Sequence, residues 1–186
     1  SQIAWYENDG NESFSQHVIT NNAIQARRLH STDIDNDGDI DVLTTWYGNY
    51  YQGDGAIAWY ENDGTGIFAE HVIINNVNGP YSVYSKDLDG DGDMDFLSAL
   101  LADNKVAWYE NDGEENFTEK IISSNALAVR GVYSVDIDND GDMDVLSASF
   151  EDDKIAWYEN KMTCDEGFDC SGICGGDAVE DECGTC

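Results

Sequence analysis

The chain has 186 residues, 39 acidic and 8 basic, for a formal charge of −31. That balance excludes nucleic acid and anionic membrane surfaces as partners, because both call for a basic face. With 41% apolar and 11% aromatic residues the chain can bury a core, and it has no run of about 18 apolar residues to insert into a membrane.

The chain opens on Ser-Gln-Ile-Ala-Trp-Tyr, in the middle of a repeat and with neither an initiator Met nor a leader. It therefore reads as a processed or excised piece of something longer. The phrase Ile3-Ala4-Trp5-Tyr6-Glu7-Asn8-Asp9-Gly10 recurs at 57–64, at 106–113 with Val106 first, and at 155–160 without its last two residues. A second strand candidate, His17-Val18-Ile19, recurs at 71–73 and, as Lys-Ile-Ile, at 120–122. A third, 29–32, recurs at 82–86 and 131–135 and leads into an acidic loop. A fourth, 41–45, recurs at 95–100 and 144–149 and leaves that loop. These segments are β-branched and aromatic, punctuated by Gly, Asn and Asp, and none has sustained helical periodicity. Pro80 is placed in a connection.

The repeated tryptophans Trp5, Trp59, Trp108 and Trp157 are 54, 49 and 49 residues apart. The extra five residues fall in Trp46–Gly55. Four strands in roughly 50 residues make a propeller blade. The expected fold is all-β: a β-propeller-like array of four-stranded blades over residues 1–162, about three repeats, open or completed by neighbours. The strand tally is uneven, with three acidic loops but four Trp-Tyr strands. A ring closed by one chain needs no such duplicate, and closed propellers have roughly four to eight blades. Open stacking in the manner of a solenoid is the other arrangement.

The acidic loops run Asp33 to Asp41, Asp87 to Asp95 and Asp136 to Asp144, with Asp at positions 1, 3, 5, 7 and 9 and Gly at 6 (Gly38, Gly92, Gly141). Fifteen of the 39 acids thus lie in 27 residues, a concentration that a general solvating coat does not produce. Five carboxylates this close repel one another unless a cation sits among them. Hard oxygen donors at alternate positions around a Gly turn suit Ca²⁺, so three calcium sites are expected. An EF-hand would need Glu at position 12 and flanking helices; position 12 here is Thr44, Ser98 or Ser147, and strands flank the loops. Mg²⁺ favours water-rich octahedral sites over a dense carboxylate loop.

The stretch 87–99, an acidic loop running into an apolar strand, resembles the FG-GAP/VCBS repeat family, whose loops are related to those of the integrin α-subunit propeller. The Trp-Tyr-Glu-Asn-Asp-Gly phrase resembles VCBS-type repeats of secreted proteins. The resemblance covers residues 1 to about 160. It implies that positions 1, 3, 5 and 9 donate carboxylates and position 7 a backbone carbonyl. The first ion would then take Asp33, Asp35, Asp37, Asp41 and the Asp39 carbonyl; the second Asp87, Asp89, Asp91, Asp95 and the Asp93 carbonyl; the third Asp136, Asp138, Asp140, Asp144 and the Asp142 carbonyl. The apolar residues at positions 2 and 8 (Ile34 and Ile40, Leu88 and Met94, Ile137 and Met143) would hold each loop on the core.

Residues 163–186 change character. Cys164, Cys170, Cys174, Cys183 and Cys186 form a Cys-rich module that resembles small Cys/Gly/Asp modules of extracellular proteins. Disulfides fit that compartment, with zinc thiolates as the alternative. An odd count asks for a partner cysteine elsewhere. Sequons at Asn11 and Asn116 follow Trp-Tyr-Glu-Asn-Asp-Gly turns and should be exposed for glycosylation. Together with calcium, these features place the chain outside the cell or at its surface.

No enzyme is expected. His17 and His71 share a repeat position with Lys120, and His30 shares one with Tyr84 and Tyr133, so these histidines read as strand surface and packing. No Ser-His-Asp order or zinc-binding His pair occurs, and the carboxylates are committed to metal. Trp46, Tyr47, Tyr50 and Tyr51, in the insert that the other repeats lack, are candidate ligand contacts or a self-packed loop. Two functions follow: a calcium-stiffened structural or adhesive module that self-associates or binds other extracellular proteins, with its unmatched Trp-Tyr strand paired to a neighbouring copy; or a lectin-like or integrin-like module that binds a glycan or protein.

Overall fold

The structure, a computed structural model, describes residues 1–48 and 53–161. Tyr50, Tyr51 and the five tail cysteines lie outside the described residues.

Thirteen strands form four antiparallel sheets among these residues, and no sheet closes into a barrel. β1 (Ile3–Asn8) and β2 (Phe14–Thr20) make a two-stranded sheet. β3 (Ala26–Thr32), β4 (Asp41–Trp46), β5 (Gly55–Asn62) and β6 (Phe68–Val77) make the first full blade. β7 (Pro80–Lys86), β8 (Asp95–Leu100), β9 (Lys105–Asn111) and β10 (Phe117–Ser123) make the second. β11 (Val129–Val135), β12 (Asp144–Ser149) and β13 (Lys154–Tyr158) make a three-stranded sheet.

Pro80 is the first residue of β7 rather than part of a connection. A strand's first position tolerates a residue without an amide hydrogen. The register shifts at the same place in each first strand, between Ala26 and Arg28, Pro80 and Ser82, and Val129 and Gly131. Such bulges raise the local twist, and the repeats share one blade shape as a result.

Blades stack face to face, and alternation along each strand assigns every second side chain to one interface. Ile34, Leu43, Ile57 and Trp59 of the first blade pack on Val83, Phe96, Ala107 and Tyr109 of the second. The equivalent Leu88, Leu97 and Val106 pack on Val132 and Val145 of the three-stranded sheet. Ile3 of β1 packs on Ala58 and Tyr60 of the first blade. The two full blades thus each have a leading face, covered by the next sheet, and a trailing face, set on the previous one. The first strands β3, β7 and β11 lie side by side. His30, Tyr84 and Tyr133 run across them as a ladder of rings with centroids 4.6 and 4.7 Å apart. His30 is therefore a packing residue.

His17 and His71 stack on Trp5 and Trp59, with centroids 4.3 and 4.6 Å apart. Their Nε2 atoms lie 3.0 and 2.7 Å from Glu7 and Glu61. In the next blade Lys120 does the same work, 4.2 Å above Trp108 and 2.6 Å from Glu110. One cross-strand arrangement accepts either base, which accounts for the His/Lys alternation without catalysis.

Candidate metal centres

Each acidic loop joins the first and second strands of a blade. Its path needs a left-handed residue at two positions. Gly38, Gly92 and Gly141 at position 6 have φ near +100° (99, 97 and 102), where a Cβ is disfavoured. Position 4 is also left-handed: Asn36 at +59°, Gly90 at +76° and Asn139 at +62°. Asn and Gly tolerate that region best, so the Asn/Gly alternation there was a readable signal that the loop pattern alone did not supply.

Aspartates hold the loop by accepting from its own amides. The position-6 amides of Gly38, Gly92 and Gly141 donate to Asp33, Asp87 and Asp136 Oδ2 at 3.0, 3.1 and 3.2 Å. The Asp39, Asp93 and Asp142 amides donate to Asp37, Asp91 and Asp140 Oδ1 at 2.8, 2.9 and 3.0 Å. Carboxylate oxygens converge in three groups: Asp33, Asp35 and Asp37; Asp87, Asp89 and Asp95; Asp136, Asp138 and Asp144, each within 4.8 Å. The Asp39 and Asp93 carboxylates instead lie against Gly64 and Gly113, in the next hairpin of the same blade, where a Cβ would be 2.4 and 2.5 Å from their Oδ2 atoms.

The aspartate at position 9 has a further task. Asp41, Asp95 and Asp144 are fully buried. Their Oδ2 atoms accept from the Ile34, Leu88 and Ile137 amides at 2.9, 2.9 and 3.1 Å. Their Oδ1 atoms accept from Asn62, Asn111 and Asn160, each at 2.8 Å. The Asn side chains reach the loop too, donating to the Ile40, Met94 and Met143 carbonyls at 3.2, 3.4 and 3.3 Å. The Asn of each Trp-Tyr-Glu-Asn phrase is therefore a loop clamp, a role that sequence reasoning missed although its recurrence marked it. Position 2 holds the first two loops on the core through buried Ile34 and Leu88. Ile137 is exposed on a face that no sheet among the described residues covers, and Ile40 is exposed in a groove beside Trp5 of the two-stranded β1–β2 sheet.

The repeating loop between antiparallel strands decides the family. The FG-GAP-like repeat model matches residues 33–98 and 87–147, more than half of the chain. The chain belongs to the FG-GAP-like repeat family. No curated protein matches it. FG-GAP repeats are generally non-catalytic and typically extracellular. Among the described residues, no helix is long and apolar enough to cross a membrane.

The acidic clusters of these FG-GAP repeats fit a cation on their own evidence. Asp33 Oδ1 and Asp136 Oδ1 are buried with no hydrogen-bond partner, and an unpaired buried carboxylate oxygen is costly. The donors are all oxygen, as a hard cation such as Ca²⁺ requires. A bound divalent ion would offset part of the clustered charge and cross-link positions along each loop.

Without a cation the carboxyls hold protons too tightly. Burial first, and then Asp91 beside it, raise Asp89 to about 6. Burial also raises Asp95 to about 7, against the accepted amide bonds that pull it down. Asp41 moves up by burial as well. A folded-state value above the unfolded 3.8 means that the folded state binds more protons between about pH 4 and 7. Metal-free stability is then full below that window and is lost as pH rises through it. Thermal melts of stripped protein should show the melting temperature falling from pH 5 to 7.5. Calcium-saturated protein should show the reverse, because protons compete with the ion. Parallel pH profiles would refute the linkage.

Trp46 packs on the Ile3, Ala58 and Tyr60 cluster. Tyr47 is buried beneath Arg27 and against Gly79. The sequon residues Asn11 and Asn116 are both exposed on hairpin turns.

Proposed function

We propose that the chain is an extracellular or cell-surface structural or adhesive module, stiffened by calcium at three loops and built to associate with further copies of itself or with other extracellular proteins or glycans. One observation carries this reading. Ile57 and Val106, on leading faces covered by the next sheet, are 0% exposed, while the equivalent Ile155 is 83% exposed. Trp157 and Ile137 are exposed beside it. A blade face shaped for stacking that no sheet among the described residues covers favours association with a further repeat or another copy. The lectin-like alternative has less support, because Trp46 and Tyr47 of the insert are occupied in packing.

Light scattering and negative-stain electron microscopy test this, first in millimolar Ca²⁺ and then in EGTA. Ordered oligomers or filaments that come apart in EGTA are expected. A compact monomer in both conditions would end the assembly reading and turn attention to glycan arrays.

A further inference from the structure

The few bases of this acidic chain fall into two groups. Four of the five lysines hold an acid: Lys105, Lys120, Lys154 and Lys161 lie 2.6 to 3.2 Å from a carboxylate oxygen. The arginines Arg27, Arg28 and Arg130 have no carboxylate partner among the described residues, in a chain with 39 acids.

The fold brings two of them into one row. Arg27, Tyr81 and Arg130 share a repeat position, the residue skipped by the register shift near the start of β3, β7 and β11. A bulge re-aims the side chain it carries. Because these strands lie side by side, the three side chains run across the array. The Arg27 guanidinium lies 5.1 Å from the Tyr47 ring and 5.6 Å from the Tyr81 ring. That of Arg130 lies 5.9 Å from Tyr81 and 3.9 Å from Phe150. Both arginines are exposed, and Phe150 is 60% exposed. The row sits at the strand starts, at the opposite end of β3, β7 and β11 from the acidic loops. Where a cation lies over a ring elsewhere, an acid completes the group, as Glu110 does for Lys120 over Trp108. Bracing the seam between blades therefore does not by itself explain two guanidiniums without an acid.

We infer that the row of Arg27, Tyr81 and Arg130, with Phe150 beside it, binds an acidic oligosaccharide, one that carries carboxylate or sulfate groups on its rings. This names a glycan class for the association proposed above, and rests on that reading for the partner's place outside the cell.

The chemistry follows from the residues. A guanidinium presents a planar fork of donors that matches a planar pair of anionic oxygens in two parallel bonds. The C–H face of a sugar ring packs on an aromatic face such as the exposed ring of Phe150. An extended acidic peptide fits less well. Such a peptide adds its main chain along one strand edge, whereas this row runs across three strands. Two arginines take one or two anionic groups, so the ligand is short. The net charge of −31 repels a long polyanion.

Isothermal titration calorimetry of the full chain in millimolar Ca²⁺ tests this. The probes are a uronic-acid tetrasaccharide, a sulfated galactose tetrasaccharide, a neutral glucose tetrasaccharide and a tetraglutamate peptide. At least one acidic sugar should bind, and which one separates a carboxylate ligand from a sulfate ligand. The neutral sugar and the peptide should not bind. Arg27→Gln and Arg130→Gln, both at exposed positions, should each weaken binding about tenfold, and the double variant should abolish it. Lys154→Gln removes the same charge elsewhere and should bind like wild type. Wild type that binds neither acidic sugar at millimolar concentration would overturn the inference. So would a double variant that binds like wild type, the result expected if a uronate is held through calcium at the loops. Arginine-dependent binding of the peptide without the sugars would overturn it in favour of an acidic protein segment. Light scattering of the same variants keeps the two readings apart: assembly in Ca²⁺ without sugar binding would end this inference and leave calcium-dependent association standing.

Discussion

Stripping calcium at pH 7.5 is expected to lower the melting temperature by about 10 °C. The sites are exposed loops of the kind that bind extracellular calcium with Kd on the order of 10⁻⁴ M. At about 1 mM free Ca²⁺ each such site contributes ~1.4 kcal/mol, and three contribute ~4 kcal/mol. A chain of this size shifts by roughly 2–4 °C per kcal/mol. The physical source is three groups of carboxylate oxygens within 4.8 Å, two with a buried oxygen that nothing among the described residues satisfies, and carboxyls at Asp89 and Asp95 held above their ordinary range by burial and mutual repulsion. Calorimetry of the same sample in EGTA, in Ca²⁺ and in Mg²⁺ checks it. Identical melts in all three would remove calcium from the account of stability.

Replacing Asp95 with Ala should be the most damaging single change in a loop, at about 3–5 kcal/mol even without metal. Asp95 is fully buried, and its two oxygens accept from Leu88 and Asn111, tying the loop's start to the third strand. Alanine leaves both amides without an acceptor in the middle of the array. Asp91 is exposed and accepts from the adjacent Asp93 amide, so Asp91→Ala in metal-free protein should cost about 1 kcal/mol. Asp95→Asn keeps one acceptor oxygen and should fall between them. Urea unfolding of the three variants in chelator separates these values. Equal losses for Asp91→Ala and Asp95→Ala would show that the position-9 aspartate is a metal ligand and nothing more.

The expected effects differ because the fifteen loop aspartates, alike in sequence, occupy unlike environments. Sequence spacing found all three loops, since a pattern of alternate Asp with Gly at position 6 is a local demand of backbone and charge. It could not tell that Asp41, Asp95 and Asp144 turn inward as clamps, because that depends on an Asn 16 or more residues away across the sheet. Nor could it tell that the Asp39 and Asp93 carboxylates turn to Gly64 and Gly113.

The sequence by itself determined the all-β class, the four-strand unit, the strand order around each loop and the surface character of His17 and His71. These follow from alternation, turn residues and exact repetition, all of which act over a few residues or one repeat. Tertiary structure alone decided which face of each sheet is covered. Ile57 and Ile155 sit in identical phrases, and only the presence of a neighbouring blade makes one buried and the other exposed. Burial is a property of what packs on a residue, and identical repeats become different residues once they are stacked.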